Sequence, residues 1–141
     1  MSDRVLMEFI SEAQEIVENL NRDLLTLDAQ REDGEHDPDV LNSAFRAVHS
    51  LKGLSGLFGV AGMTHMSHTL ETLLDALRLG RVPLTPAILD LLFEAVELYG
   101  RLIAAINAGT PLPDGVDAFL ERVDRAANPG PSSSTASISS E

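Results

Sequence analysis

An all-α fold, an antiparallel up-down-up-down four-helix bundle with a short fifth helix, is predicted by three features of the sequence. Apolar residues recur at helical spacing in five successive segments, glycine or proline punctuates the junctions, and no run shows the period-two alternation of a strand. Short connections between long amphipathic helices favour antiparallel neighbours. The chain has 141 residues, 44% of them hydrophobic, enough for one domain with a proper core.

The first helix is expected from about residue 3 to 28, where Val5, Leu6, Phe9, Ile10, Ala13, Ile16, Val17, Leu20, Leu24 and Leu27 keep the helical spacing. The polar run from Gln30 to His36 reads as a loop. Asp37-Pro38 then supplies an N-cap followed by proline at the first helical position, opening a second helix to about Phe58. Its buried stripe is expected to be Val40, Ala44, Ala47, Leu51, Leu54 and Phe58. Gly59-Val60-Ala61-Gly62 is a tight break. The third helix, about 63 to 79, buries Met63, Met66, Leu70, Leu73 and Leu77, and stops at Gly80 with Arg78 and Arg81 near its negative end. Thr85-Pro86 opens a fourth helix to about 107, ended by Gly109 and two prolines. A fifth, from Asp114 to about Ala127, is expected as an appendage to the bundle. Residues 1–127 therefore read as one domain, and 128–141 as a disordered Pro/Ser-rich linker towards further domains.

Charge excludes several functions. The net charge of −12 would repel nucleic acid and anionic membranes, and no apolar run approaches the ~20 residues of a membrane span. Without cysteine there is neither a disulfide framework nor a thiolate metal site, and with no signal peptide the expected location is cytoplasmic. The acid is unevenly spread: residues 1–37 hold eleven Asp or Glu against three Arg, while the middle of the chain is close to balanced. Such an acidic run reads first as a solvated helix face and loop.

That balanced middle holds the most informative residues. Lys52, the only lysine, lies three residues after His49 in the run Phe45-Arg46-Ala47-Val48-His49-Ser50-Leu51-Lys52-Gly53-Leu54-Ser55-Gly56. On a helix His49, Lys52, Gly53 and Gly56 share an arc of roughly 100°, so one face carries an imidazole, a compact cation and two side chains of no bulk. Antiparallel helices mirrored about residues 60–61 set His49 level with about residue 72 and Lys52 with about 69. Glu71 and His68 are the polar residues there, on an arc with Thr64, His65 and Asp75. Leu41 and Phe45 lie on the His49 side of their helix and read as packed residues or as an apolar contribution to a docking surface. Glycines 53, 56, 59 and 62 lack the Gly-Lys-Ser/Thr ending and preceding strand of a phosphate-binding loop. His65, His68 and Glu71 on one helix offer at most two convergent metal ligands.

The order His49-Ser-Leu-Lys52-Gly53-x-x-Gly56, followed by His68-Thr-Leu-Glu71 and then Leu73-Leu74-Asp75, resembles the histidine phosphotransfer (HPt, P1) domain of CheA-type chemotaxis histidine kinases. The resemblance covers about residues 3–127, with Leu54 a departure where the family often has a small residue. It implies that His49 takes the γ-phosphoryl group of ATP on Nε2 from a separate kinase domain and donates it to an aspartate of a response regulator. It further implies that Glu71 fixes the imidazole tautomer, that Lys52 neutralises phosphoryl oxygens, and that His68 joins their network. Gly53 and Gly56 would leave room for the partner, with Arg46, Phe45 and Leu41 in the docking face. The chain itself needs no cofactor or metal on this reading; ATP and Mg²⁺ are used by partner domains. A stand-alone phosphorelay shuttle would use the same histidine, whereas a non-catalytic helical adaptor would leave the isolated lysine beside His49 unexplained.

Overall fold

The computed structural model describes residues 2–32 and 34–129. Five helices follow one another: α1 (Asp3–Glu32), α2 (Pro38–Leu57), α3 (Ala61–Arg78), α4 (Pro86–Ala108) and α5 (Val116–Ala127). No strand occurs among the described residues. Most of the expected Pro/Ser linker, residues 130–141, lies outside them.

Local chemistry sets the boundaries. The helix α1 runs four residues past its expected end, because nothing before Gly34, at φ 91°, breaks it, and Arg31 pairs with Asp28 in its last turn. Gln30 Oε1 accepts from the Asp37 amide at 2.8 Å, tying the end of α1 to the start of α2. Asp37 caps α2 by accepting from the Asp39 amide, and Pro38 occupies the first turn, where no amide is needed. Gly80 adopts φ 76° beyond α3, and the Arg81 amide reaches back to the Ala76 carbonyl. Thr85 caps α4 through the Ile88 amide.

In the bundle α2 packs against both α1 and α3, and α1 also packs against α4. The pairs Ser55–Thr64, His49–Glu71 and Phe45–Arg78 run in opposite chain directions, the signature of an antiparallel α2–α3 hairpin. The mirror about residues 60–61 is therefore realised to within about a residue. Ser55, fully buried, bonds the Leu51 carbonyl and the Thr64 hydroxyl, pinning the two helices next to their connection. Between α3 and α4 the buried Ser67 and Tyr99 hydroxyls meet at 2.6 Å.

Two expectations need correction. First, α5 is no appendage: Phe119, Leu120 and Val123 are buried in the common core against α3 and α4, and Arg122 forms a bidentate pair with Glu94 of α4. Burying such side chains is worth about 1.5–3 kcal/mol each, which a strongly amphipathic helix gains only by docking. Second, the buried arc of α2 centres on Leu41, Ala44, Val48, Leu51 and Ser55, rotated by roughly 60° from the expected stripe. Because α2 has neighbours on two sides, Val40, Ala47, Leu54 and Phe58 form only its half-buried margin. Leu41 is thus a core residue at 2% exposure and offers no docking surface.

Candidate functional site

The rotation of α2 leaves His49 at the edge of the α2–α3 groove, its side chain 62% exposed. One turn further, Lys52 leans across the groove at 30% exposure, and from α3 the much less exposed Glu71, at 14%, reaches up between them. Each carboxylate oxygen has its own partner. Glu71 Oε2 is hydrogen-bonded to Nδ1 of His49, and Oε1 accepts from Lys52 Nζ at 2.7 Å.

Electrostatics then assigns the protons. Burial by itself pushes the Glu71 carboxyl up, but the hydrogen bonds and charges of Lys52 and His49 outweigh it and hold the group below its usual range. An ionised carboxylate is acceptor-only, so the hydrogen on the His49–Glu71 bond belongs to Nδ1. In the neutral form of the imidazole the lone pair then sits on Nε2, which has no hydrogen-bond partner among the described residues. The result is an exposed ring nitrogen oriented from behind by a carboxylate that Lys52 helps to keep charged.

His68 is placed differently from the expectation. Its Nδ1 lies 4.0 Å from Glu71 Oε1, beyond hydrogen-bond reach, and the side chain is 66% exposed, so it flanks the network without joining it. Arg46 is exposed on α2 next to His49 and makes no ion pair among the described residues. Gly53 and Gly56 are exposed helical positions: a Cβ at Gly53 would meet nothing within 4 Å, and at Gly56 only Thr64 Oγ1 at 4.0 Å. Nothing inside the fold requires glycine at either. Among the described residues no group of three or more His, Asp or Glu converges as metal ligands.

Phe45, half-buried one turn before His49, faces its neighbour and not open solvent. Its ring lies at 10° to the imidazole with centroids 6.3 Å apart, and the Arg78 guanidinium sits 4.1 Å from the Phe45 centroid. Arg78 is in turn bonded to Asp75 at 2.6 Å. Sequence reasoning placed Arg78 only as a helix-end cation. The signal for the stack was available, since the mirror that pairs His49 with Glu71 also sets residue 45 near residues 75–76, within a turn of Arg78.

A helical bundle that displays an exposed imidazole held at Nδ1, with a half-buried carboxylate and a lysine behind it, has the features of a phosphoryl carrier of the histidine phosphotransfer class. Residues 4–126 match the Hpt domain family. The chemotaxis protein CheA of Cereibacter sphaeroides is 39% identical over 102 residues, which is 72% of this chain and 15% of that protein, so the chain spans about a seventh of its relative's length. The solution structure of the histidine phosphotransfer domain of CheA superposes with a TM-score of 0.75 at 33% identity, covering 89% of this chain and 92% of that one. The phosphorylated P1 domain of CheA3 from R. sphaeroides, solved in complex with CheY6, shares the fold at TM-score 0.77 and 21% identity, covering 89% and 97% of the two chains. The chain belongs to the Hpt domain family, as a phosphotransfer domain of the CheA type.

Proposed function

We propose that His49 is the phosphorylated residue, loaded from ATP by a separate kinase domain of the parent protein and unloaded onto an aspartate of a response regulator. The Nε2 lone pair attacks the γ-phosphorus, a P–N bond forms, and the bond to the bridging oxygen breaks as ADP leaves with its electron pair. The imidazole becomes cationic, and Glu71 stabilises that charge through the Nδ1 proton. In the return step the aspartate oxygen attacks phosphorus, the P–N bond breaks and the pair goes back to Nε2. Such loose transition states need positioning and charge stabilisation more than covalent help, which is what this site supplies.

The observation that carries the reading is the divided use of Glu71: one oxygen fixes the tautomer of His49, while the other is held by Lys52. Lys52 therefore acts first to keep Glu71 ionised, in a position from which phosphoryl oxygens on Nε2 also feel its charge. His68 flanks this network, its Nδ1 4.0 Å from Glu71 Oε1. ATP and Mg²⁺ belong on this reading to partner domains, and the compartment is the cytoplasm, where ATP is available. Arg46, Gly53 and Gly56 form the face on which those partners close. That CheA3 P1 was solved with CheY6 supports a receiver domain as one of them. No helix among the described residues is long and apolar enough to cross a membrane. A purely adaptor role leaves the two-sided grip on Glu71 without purpose.

The test is incubation with the parent kinase core and γ-labelled ATP. The wild type takes up acid-labile, alkali-stable label, the signature of a phosphoramidate, and His49→Gln takes up none while keeping its helical circular dichroism. Label of that kind in the folded variant would remove His49 from the reaction.

A further inference from the structure

Hydrogen bonding to Glu71 fixes one atom of the His49 ring but not the plane of the ring. An imidazole 62% exposed and held only at Nδ1 still swings about that bond, and each swing sweeps Nε2 away from the line of attack. In-line transfer is sensitive to such errors, since displacements on the order of 1 Å change rates by about a hundredfold.

The second constraint is Phe45. It stands one turn before His49 on the same helix, half-buried, with its ring nearly parallel to the imidazole at an offset, 6.3 Å between centroids, within the range of aromatic pairing. Phe45 is itself held: α3 lays Arg78 over it at 4.1 Å, and Asp75 anchors Arg78. Asp75 is one turn beyond Glu71 on α3, so the same helix that grips Nδ1 also braces the wall beside the ring. Resting on the reading of His49 as phosphoryl acceptor, we infer that Phe45, braced by Arg78, is a positioning residue that sets the plane of the His49 imidazole for phosphotransfer. A half-buried ring in that role is not primarily a docking contact.

The experiment compares Phe45→Leu, Phe45→Tyr and Arg78→Gln with the wild type in the full kinase, or with the domain supplied in trans to the kinase core, varying its concentration to separate kcat from KM. Phe45→Leu keeps apolar bulk and loses the flat wall. It is expected to lower kcat by about three- to tenfold with KM little changed, in keeping with the weight of one offset aromatic pair. Phe45→Tyr restores kcat, and Arg78→Gln shows a smaller loss in the same direction. Proton spectra of the His49 ring supply a readout independent of turnover: its ring-current shift disappears in Phe45→Leu and persists in Phe45→Tyr. Unchanged kcat in Phe45→Leu, equal impairment in Phe45→Tyr, or a loss carried by KM alone would overturn the inference, the last returning Phe45 to the docking face. A wild type that takes no label on His49 sinks the acceptor role itself and this inference with it.

Discussion

Replacing Gly53 by alanine should make this domain more stable and less able to pass its phosphoryl group on. Gly53 lies in the helical interior of α2, one turn after His49, and is exposed. An exposed helical glycine costs about 0.5–1 kcal/mol relative to alanine, through the backbone entropy lost on folding. A Cβ there would meet no heavy atom within 4 Å, so no clash offsets the gain. Gly56, in the last turn of α2 with Thr64 Oγ1 4.0 Å from its ideal Cβ, should gain less. For a domain of this size, a gain near 1 kcal/mol raises the melting temperature by about 2–6 °C. On the proposed function the same methyl intrudes on the face that a partner approaches to reach Nε2. Overpacking a close fit by one carbon costs about 1–3 kcal/mol, a slowing of about fivefold to a hundredfold in transfer to the regulator. Thermal unfolding by circular dichroism measures the first effect; single-turnover loss of label from the phosphorylated domain to the regulator measures the second. A lower melting temperature would show that the fold itself requires glycine, and unchanged transfer in the stabilised variant would remove Gly53 from the partner face.

Lys52→Ala and Glu71→Gln should each slow phosphorylation by well over about tenfold without unfolding the bundle, and normal single-turnover rates in both would refute the proposed network. The acid limb of stability should also carry the mark of Glu71. Its folded-state pKa lies below its ordinary value of 4.5, so the unfolded chain takes up the proton first; the stabilisation is complete above 4.5 and is lost as pH falls from there through the folded value. Glu71→Gln should flatten that part of the profile in urea titrations at successive pH values, and an unaltered slope would show the carboxylate to be energetically idle. Arg46→Glu should slow transfer to the regulator mainly through association, with an effect that shrinks as salt rises; a salt-independent loss would argue against electrostatic docking there.

The sequence by itself determined the fold class, because the signals involved are local. Apolar spacing, Asp37-Pro38, Thr85-Pro86 and the glycines at 80 and 109 act within a turn or two of chain, and the helices begin and end within a few residues of where those signals stand. It also brought His49 and Glu71 together, since two antiparallel helices of equal rise and a short connection leave little freedom of register. Rotation about the helix axis was another matter. Which arc of α2 is buried depends on α1 and α3 both pressing on it, and the choice of Leu41, Val48 and Ser55 over Val40, Ala47 and Leu54 is a compromise between two neighbours. Leu41 left the surface and Phe45 became a wall beside the imidazole for that reason. Only the tertiary structure gave Lys52 to Glu71, left His68 Nδ1 4.0 Å from Glu71 Oε1, beyond hydrogen-bond reach, and sealed α5 into the core. Those outcomes are set by angstrom-scale side-chain reach across packed helices, and helical periodicity fixes the level of a residue far more tightly than the direction in which its last few atoms point.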